Sequence, residues 1–381
     1  MFQREDIKKI LLILCCCFPF IGPDLGTDVQ PFALGVSIII LIICGDFNIS
    51  NKFVIPTTIC VIALFVFSLF NVPTFDVMKR MFSYVSVILI PIAVEKSGID
   101  IRSIRFERLM KLVMLAWMVV GIIQFFGDKY FLNNIVPLMR TSEDRGVTSL
   151  SSEPSFYGYM CFFFFLIAKD FEKHSKLFMA LELLQTLLIA QSATATIYFA
   201  CYFIIWSISK LVRLNKVGFV IIIAIAVCFV AAIVYVKNGD PSRRIISLAQ
   251  DALNGTMTLE NIGSTGESSA IRWNAIAHAF SSKGVPRYMG VDQYVTLSGI
   301  GGAFYELGIF VIFMGLMIWK SILSAYPREE SIVIALAVTI AMISAVQLSA
   351  PIFAFYLGYC QLRAISQESV ENECYKELTL I

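Results

Sequence analysis

The sequence predicts an all-α polytopic membrane protein of about twelve (11–12) transmembrane helices, with both termini inside and one long outer loop carrying two amphipathic helices. Three observations carry this expectation. Of 381 residues, 58% are hydrophobic and only 15% are charged, where soluble domains carry about 25% charge. The mean hydropathy is +0.78, and the 32 Phe are spread along the chain rather than confined to one anchor. The apolar residues also fall into successive runs separated by polar turns.

The net charge of +2 gives no reason to expect a nucleic-acid partner, and no nucleic-acid motif is present. Nine of the ten cysteines lie in apolar runs and none lies in an outer polar segment. They read as small apolar residues rather than a disulfide framework. There is no CxxC pair, no His/Cys constellation, no Asp-x-Asp on the outer side and no phosphate-binding glycine loop. Neither a metal nor a cofactor is therefore expected.

In chain order, a basic start ending at Lys8 and Lys9 leads into an apolar run over 10–21. Gly22-Pro23-Asp24 follows in place of a small-x-small cleavage site, so an uncleaved first span is expected. Further spans are expected at 30–45, 53–71, 77–94, 109–127, 155–168, 177–191, 194–211, 217–236, 299–319, 331–346 and 349–364. The count falls to eleven if the first run or the 177–211 pair is not a true span or pair of spans. Nineteen of the thirty Lys and Arg then lie on the inner side, and most of the remainder lie in two longer outer loops, where the positive-inside rule is weakest. The chain divides into membrane helices over 1–236, which include an outer loop at 128–154, and an outer loop at 237–298. More membrane helices follow over 299–366, then an inner tail at 367–381.

The outer loop at 237–298 has helical signals of its own. Asp240-Pro241 reads as a cap followed by proline at the first helical position, and Ile245, Leu248, Ala249, Ala252 and Leu253 then share a face. A second amphipathic stretch over 268–280 places Trp273, Ile276, Ala277 and Phe280 together. Two such helices suit a lid on the outer membrane surface.

One polar island interrupts the apolar chain, Arg145-Gly-Val-Thr-Ser-Leu-Ser-Ser-Glu153-Pro-Ser-Phe-Tyr-Gly158. Pro154 is expected to start a helix with Ser152 or Glu153 as its cap, a placement that favours a carboxylate with no catalytic role. Alternatively, Glu153 is a general base at the membrane surface and Arg145 binds anionic head groups. The outer arginines, Arg80, Arg140, Arg145, Arg243, Arg244, Arg272 and Arg287, are either snorkelling and salt-bridged residues or, as a set, ligands for phosphate oxygens. Arg80 is expected just inside its span, where a charge is unfavourable without a partner. Glu306 and Glu182 are expected within spans, either as functional acids or in interhelical hydrogen bonds. His278, on the second loop helix, stands about 240° around from Arg272 and does not share its face. The hydroxyls of Ser192-Ala-Thr-Ala-Thr196 either bind sugar or satisfy backbone groups where two helices break.

Together these segments resemble the Wzy-type O-antigen polymerase family, within the superfamily that includes the O-antigen ligases. The resemblance rests on Arg145-Gly-Val with Glu153-Pro-Ser-Phe156 and Gly158, and on Ser-Ala-Ile-Arg272-Trp273-Asn-Ala-Ile followed by Pro286 and Gly290-Val-Asp. Tyr305-Glu306-Leu-Gly308-Ile and the single late, long outer loop complete it. By layout it covers most of the chain, and by motif some fifty residues. Two features depart from the superfamily: the Ser192–Thr196 turn has no arginine, and Leu297-Ser-Gly-Ile-Gly-Gly-Ala lacks the histidine that ligases carry there. The second departure favours polymerase over ligase.

The resemblance implies a multi-pass protein of the bacterial cytoplasmic (inner) membrane. It would join undecaprenyl-diphosphate-linked oligosaccharide repeats by glycosyl transfer on the outer side, with undecaprenyl diphosphate leaving and no metal required. Glu153 would be the base, with His278 as the alternative. Arg145 and Arg272, then Arg287 and Arg80, would bind the diphosphate, and Arg243, Arg244 and Glu306 would complete the substrate site. Partners would be the lipid-linked glycans and the bilayer, together with a chain-length regulator and other polysaccharide-assembly proteins. The competing readings are an O-antigen ligase and, as a non-enzyme, a lipid-linked oligosaccharide flippase. Against the flippase, no internal repeat is evident and the arginines gather outside rather than at the midplane.

Overall fold

The computed structural model describes residues 4–23, 27–45, 53, 55, 57, 58, 61, 62, 64, 65, 74–141, 146–211, 299–343 and 350–379. Among these there is no strand. The helices are α1 (Arg4–Cys17), α2 (Phe32–Cys44), α3 (Phe75–Lys96), α4 (Ile104–Phe126), α5 (Pro154–Ala168) and α6 (Ser175–Leu184). The last continues as a π-helical turn, Gln185–Ala190, before α7 (Ala193–Leu211). After the long loop come α8 (Gly299–Leu307), a 3₁₀ turn at Gly308–Phe310, α9 (Val311–Ala325), α10 (Arg328–Ile343) and α11 (Pro351–Thr379).

Local chemistry explains the starts. Thr74 Oγ1 accepts from Val77 N at 3.3 Å and Ser103 Oγ from Phe106 N at 3.2 Å, so each caps the helix that follows. Glu153 is extended, φ −140° and ψ 151°, and Pro154 takes the first helical position, where its missing N–H costs nothing. Among the described residues, two helices are long and apolar enough to cross a membrane, Ile104–Phe126 and the run Gly299–Ala325. Phe32–Cys44 and Pro154–Ala168 are equally apolar but shorter.

The expected spans and the observed helices differ at several ends. Helix α4 begins at Ile104 rather than 109, because Arg105, Glu107, Arg108 and Lys111 are good helix formers that belong to its first turns. The expected 177–191 span is two kinds of helix, α then π. Helix α11 runs unbroken from Pro351 to Thr379, through the tail expected at 367–381. The segments 217–236 and 237–298, with both amphipathic loop helices, lie outside the described residues, as does most of the 53–71 span.

Helix α5 lies at the centre. Every residue from Tyr157 to Ala168 is buried, as expected for a helix that is apolar all round. Four consecutive phenylalanines meet different neighbours: Phe162 and Phe165 pack on Phe199 of α7, Phe163 on Phe353 and Tyr356 of α11, and Phe164 on Trp117 of α4. The outer shell is apolar too. Ile39, Ile42 and Ile43 of α2, Leu112 and Phe126 of α4, and Ile312 and Leu316 of α9 are all more than half exposed. So much outward apolar surface suits a lipid surround rather than water.

The segments expected on the inner side converge at one end of the bundle. Asp170, just past α5, accepts from Tyr326 and Tyr359 at 3.0 and 2.9 Å and pairs with Arg363 at 2.6 Å. Glu107 of α4 accepts from the backbone N–H of Glu172 at 2.9 Å, and Lys111 donates to the carbonyl of Lys173 at 2.6 Å. Asp6 of α1 lies 3.9 Å from Arg105. The start of α5, with the polar island, is at the opposite end.

Candidate functional site

The island is a loop wedged between helices. Thr148, Ser149, Ser151 and Ser152 are fully buried, which in an apolar bundle requires that their backbone groups find partners. Gln124 of α4 supplies them: its Oε1 accepts from Ser149 N at 2.6 Å, and its Nε2 donates to the Ser149 and Phe131 carbonyls at 3.0 and 2.9 Å. Ser149 Oγ in turn donates to the Trp117 carbonyl at 2.6 Å.

The other side of the island clips onto the π turn. Val147 N donates to the Ile189 carbonyl at 3.1 Å. A Cβ on Gly146 would stand 2.1 Å from the Ala190 carbonyl oxygen, a backbone atom that cannot swing away. Gly146→Ala is therefore expected to cost about 1–3 kcal/mol through forced backbone shifts, read as a lower thermal midpoint of the purified protein in detergent. An unchanged midpoint would show that the island is not held against the π turn.

Glu153 stands at the mouth of this loop with its side chain 24% exposed. Its carboxylate makes no capping hydrogen bond to α5, although the residue occupies the N-cap position. Oε1 instead lies 3.2 Å from Arg140 Nε, and Oε2 accepts from Ser155 Oγ at 3.0 Å. Arg140 is held in turn by Asp28, 2.6 Å from its Nη2, and its backbone N–H donates to the Ser152 carbonyl at 2.7 Å. The capping account of Glu153 thus gives way to an oriented, ion-paired carboxylate with one side open. Beside it the buried Ser152 hydroxyl has no hydrogen-bond partner among the described residues, and neither has the buried Tyr159 hydroxyl farther along α5. Buried polar groups without protein partners are places where a bound polar ligand fits.

A second pair forms between α3 and α8. Arg80 holds Glu306 through both ends of its fork, Nε to Oε1 at 2.9 Å and Nη2 to Oε2 at 3.0 Å. Tyr84 also donates to Glu306 Oε2. The side chains are 16% and 3% exposed. The two charges expected within spans are thus partners of each other across 226 residues, and Arg80 is committed to Glu306 before any ligand.

Glu182 is fully buried on α6 beside Cys161 and Gln185, and among the described residues neither carboxylate oxygen accepts a hydrogen bond of good geometry. The Ser192 and Thr196 hydroxyls are spent on the backbone: Ser192 Oγ accepts from Ala195 N at 3.2 Å and Thr196 Oγ1 donates to the Ser192 carbonyl at 2.8 Å. Arg145, Arg243, Arg244, Arg272, His278 and Arg287 lie outside the described residues.

The sequence offers Arg140 only as one of the outer arginines and not as the partner of Glu153, and it does not single out Asp28 or Gln124. Gln124 alone offered a signal, as an amide inside an apolar run. Asp28 and Arg140 are 112 residues apart, with no pattern joining them. Comparison with known proteins finds no matching family model, no matching curated protein and no matching solved structure.

Proposed function

We propose that this chain is a polysaccharide (O-antigen) polymerase of the bacterial inner membrane, with twelve spans, both termini inside and the island facing outward. The observation that carries the reading is Glu153. It is a carboxylate held by Arg140 and Ser155 at the start of the central helix, about a quarter exposed and beside a hydroxyl with no partner among the described residues. Convergence of the Lys- and Arg-rich turns at the other end supports the orientation.

In this reaction a hydroxyl of one lipid-linked repeat attacks the anomeric carbon of the lipid-linked chain. The new glycosidic C–O bond forms as the anomeric carbon–phosphate oxygen bond breaks. The bonding pair leaves with undecaprenyl diphosphate, and the hydroxyl proton passes to Glu153 or, in the alternative assignment, to His278. General-base assistance of this kind is worth about 10²–10⁴ in rate. Arg145, Arg272, Arg287, Arg243 and Arg244 would offset the charge growing on the leaving diphosphate, a task guanidinium performs without a metal. The Arg80–Glu306 pair would fix α8, the helix into which the long loop feeds, and so position the loop's contribution.

Deletion of the gene tests the reading. A polymerase loss leaves a single repeat unit on the acceptor core, whereas a ligase loss leaves none, and a flippase loss also leaves the lipid-linked repeat facing the cytoplasm. An undiminished polymer ladder in the deletion strain would overturn the proposal.

A further inference from the structure

At the end of the bundle opposite Glu153, the last turns of α7 and the first turns of α10 frame a half-open cavity of about 440 Å³. That volume is within the range of small-molecule sites, roughly 300–1,000 Å³. Helix α7 contributes Tyr202, Trp206, Ser209 and Lys210, which at i, i+4, i+7 and i+8 share one face. Lys169 and Arg328 add two more cations.

The cations are not equivalent. Lys169 is already paired with Glu330 and sits 4.8 Å from the centre of the Tyr326 ring. Lys210 and Arg328 have no ion pair among the described residues, the first half-buried and the second exposed. Glu329 and Glu330 also line the cavity, so its three cations and two acids leave one positive charge to be met. A monoanion meets it.

The surroundings say what kind of monoanion. The cavity opens at the end of an apolar bundle, at the level where charged turns replace hydrophobic helix. Tyr and Trp gather at that level in membranes because an amphipathic ring suits the headgroup region. Basic pockets between helices at such an interface are suited to lipid head groups. Ser209 provides a neutral donor for a second phosphate oxygen.

We propose that this cavity binds the headgroup phosphate of an anionic phospholipid, with Lys210 and Arg328 as its cationic ligands and Trp206 and Tyr202 as its walls. The site is independent of the glycosyl-transfer reading.

The test uses the full-length protein purified in a zwitterionic detergent and titrated with phosphatidylglycerol, with bound lipid counted by native mass spectrometry. Phosphatidylcholine and inorganic phosphate are the parallel arms. The wild type is expected to retain phosphatidylglycerol in preference to phosphatidylcholine. Lys210→Ala/Arg328→Ala is expected to weaken that binding about thirtyfold, since each cation near a membrane surface is worth about a factor of five. Lys210→Arg/Arg328→Lys should keep it. Because neither side chain has an ion-pair partner among the described residues, the double variant should keep the wild-type thermal midpoint; if it unfolds, Arg328→Gln alone gives the same reading through an exposed position. Undiminished phosphatidylglycerol binding in the alanine variant, or equal retention of phosphatidylcholine, overturns the proposal. Displacement of the lipid by millimolar inorganic phosphate overturns it in favour of a free-phosphate site.

Discussion

Glu153→Gln is expected to leave the protein folded, inserted and as abundant as the wild type while reducing polymer by 10²–10⁴-fold, the usual worth of a general base. The separation of the two effects follows from the geometry. Glutamine keeps the size of the side chain and an acceptor oxygen for Arg140 or Ser155, which now lie 3.2 and 3.0 Å from the carboxylate. Helix α5 does not lose a cap, because the Glu153 carboxylate makes no capping bond and Pro154 still begins the helix. Arg140 is 52% exposed, so water can solvate whatever charge the substitution leaves behind, and only a small stability change is expected. What glutamine cannot do is accept a proton. The measurement is the glycan ladder together with the amount of membrane-inserted protein. Full-length polymer from Glu153→Gln at normal abundance would remove Glu153 from the chemistry and move attention to His278.

The buried pair behaves in the opposite way. Arg80→Ala is expected to lower stability by about 3–5 kcal/mol, because it leaves the Glu306 carboxylate, 3% exposed, without the guanidinium that neutralises it. Glu306→Ala strands the guanidinium and should cost about as much. Replacing both at once, Arg80→Met with Glu306→Leu, should recover most of the loss, since two apolar side chains of similar volume avoid the desolvation of both charges. Thermal unfolding of the four proteins in detergent completes a double-mutant cycle, and a coupling of several kcal/mol is the expected outcome. Additive effects would mean that Arg80 and Glu306 do not act as a pair. Polymer length from the rescued double variant then separates the structural tie from a direct part in substrate binding: retained polymer assigns the pair to structure alone.

The sequence made the start of α5 legible because its signal is local. Proline after an acid, at the edge of an apolar run, has a meaning that does not depend on the rest of the chain. Helix class was equally legible, since long apolar runs without strand alternation read as helix. Charge counting also grouped the segments that hold Lys111, Lys173 and Arg363 on one side, and these segments meet at one end of the bundle. Helix ends were less legible: nothing in 177–191 marks the change to a π turn at Gln185, whose C-terminal end presents the Ile189 carbonyl to Val147. Burial of the island's serines was also hidden, because a polar run between spans reads as a surface loop until Gln124 is seen to satisfy it.

The sequence by itself determined that this chain is helical, which residues are apolar enough to face lipid, and where its charged turns lie. These are properties of composition and order along one dimension. Only the tertiary structure decided that Arg80 belongs to Glu306, and that Arg140 rather than a helix terminus holds Glu153. A charged side chain in an apolar bundle must be neutralised, but which partner does so depends on how each helix is rotated about its axis. That rotation is set by close packing, here the Phe162–Phe165 run of α5 against three different neighbours.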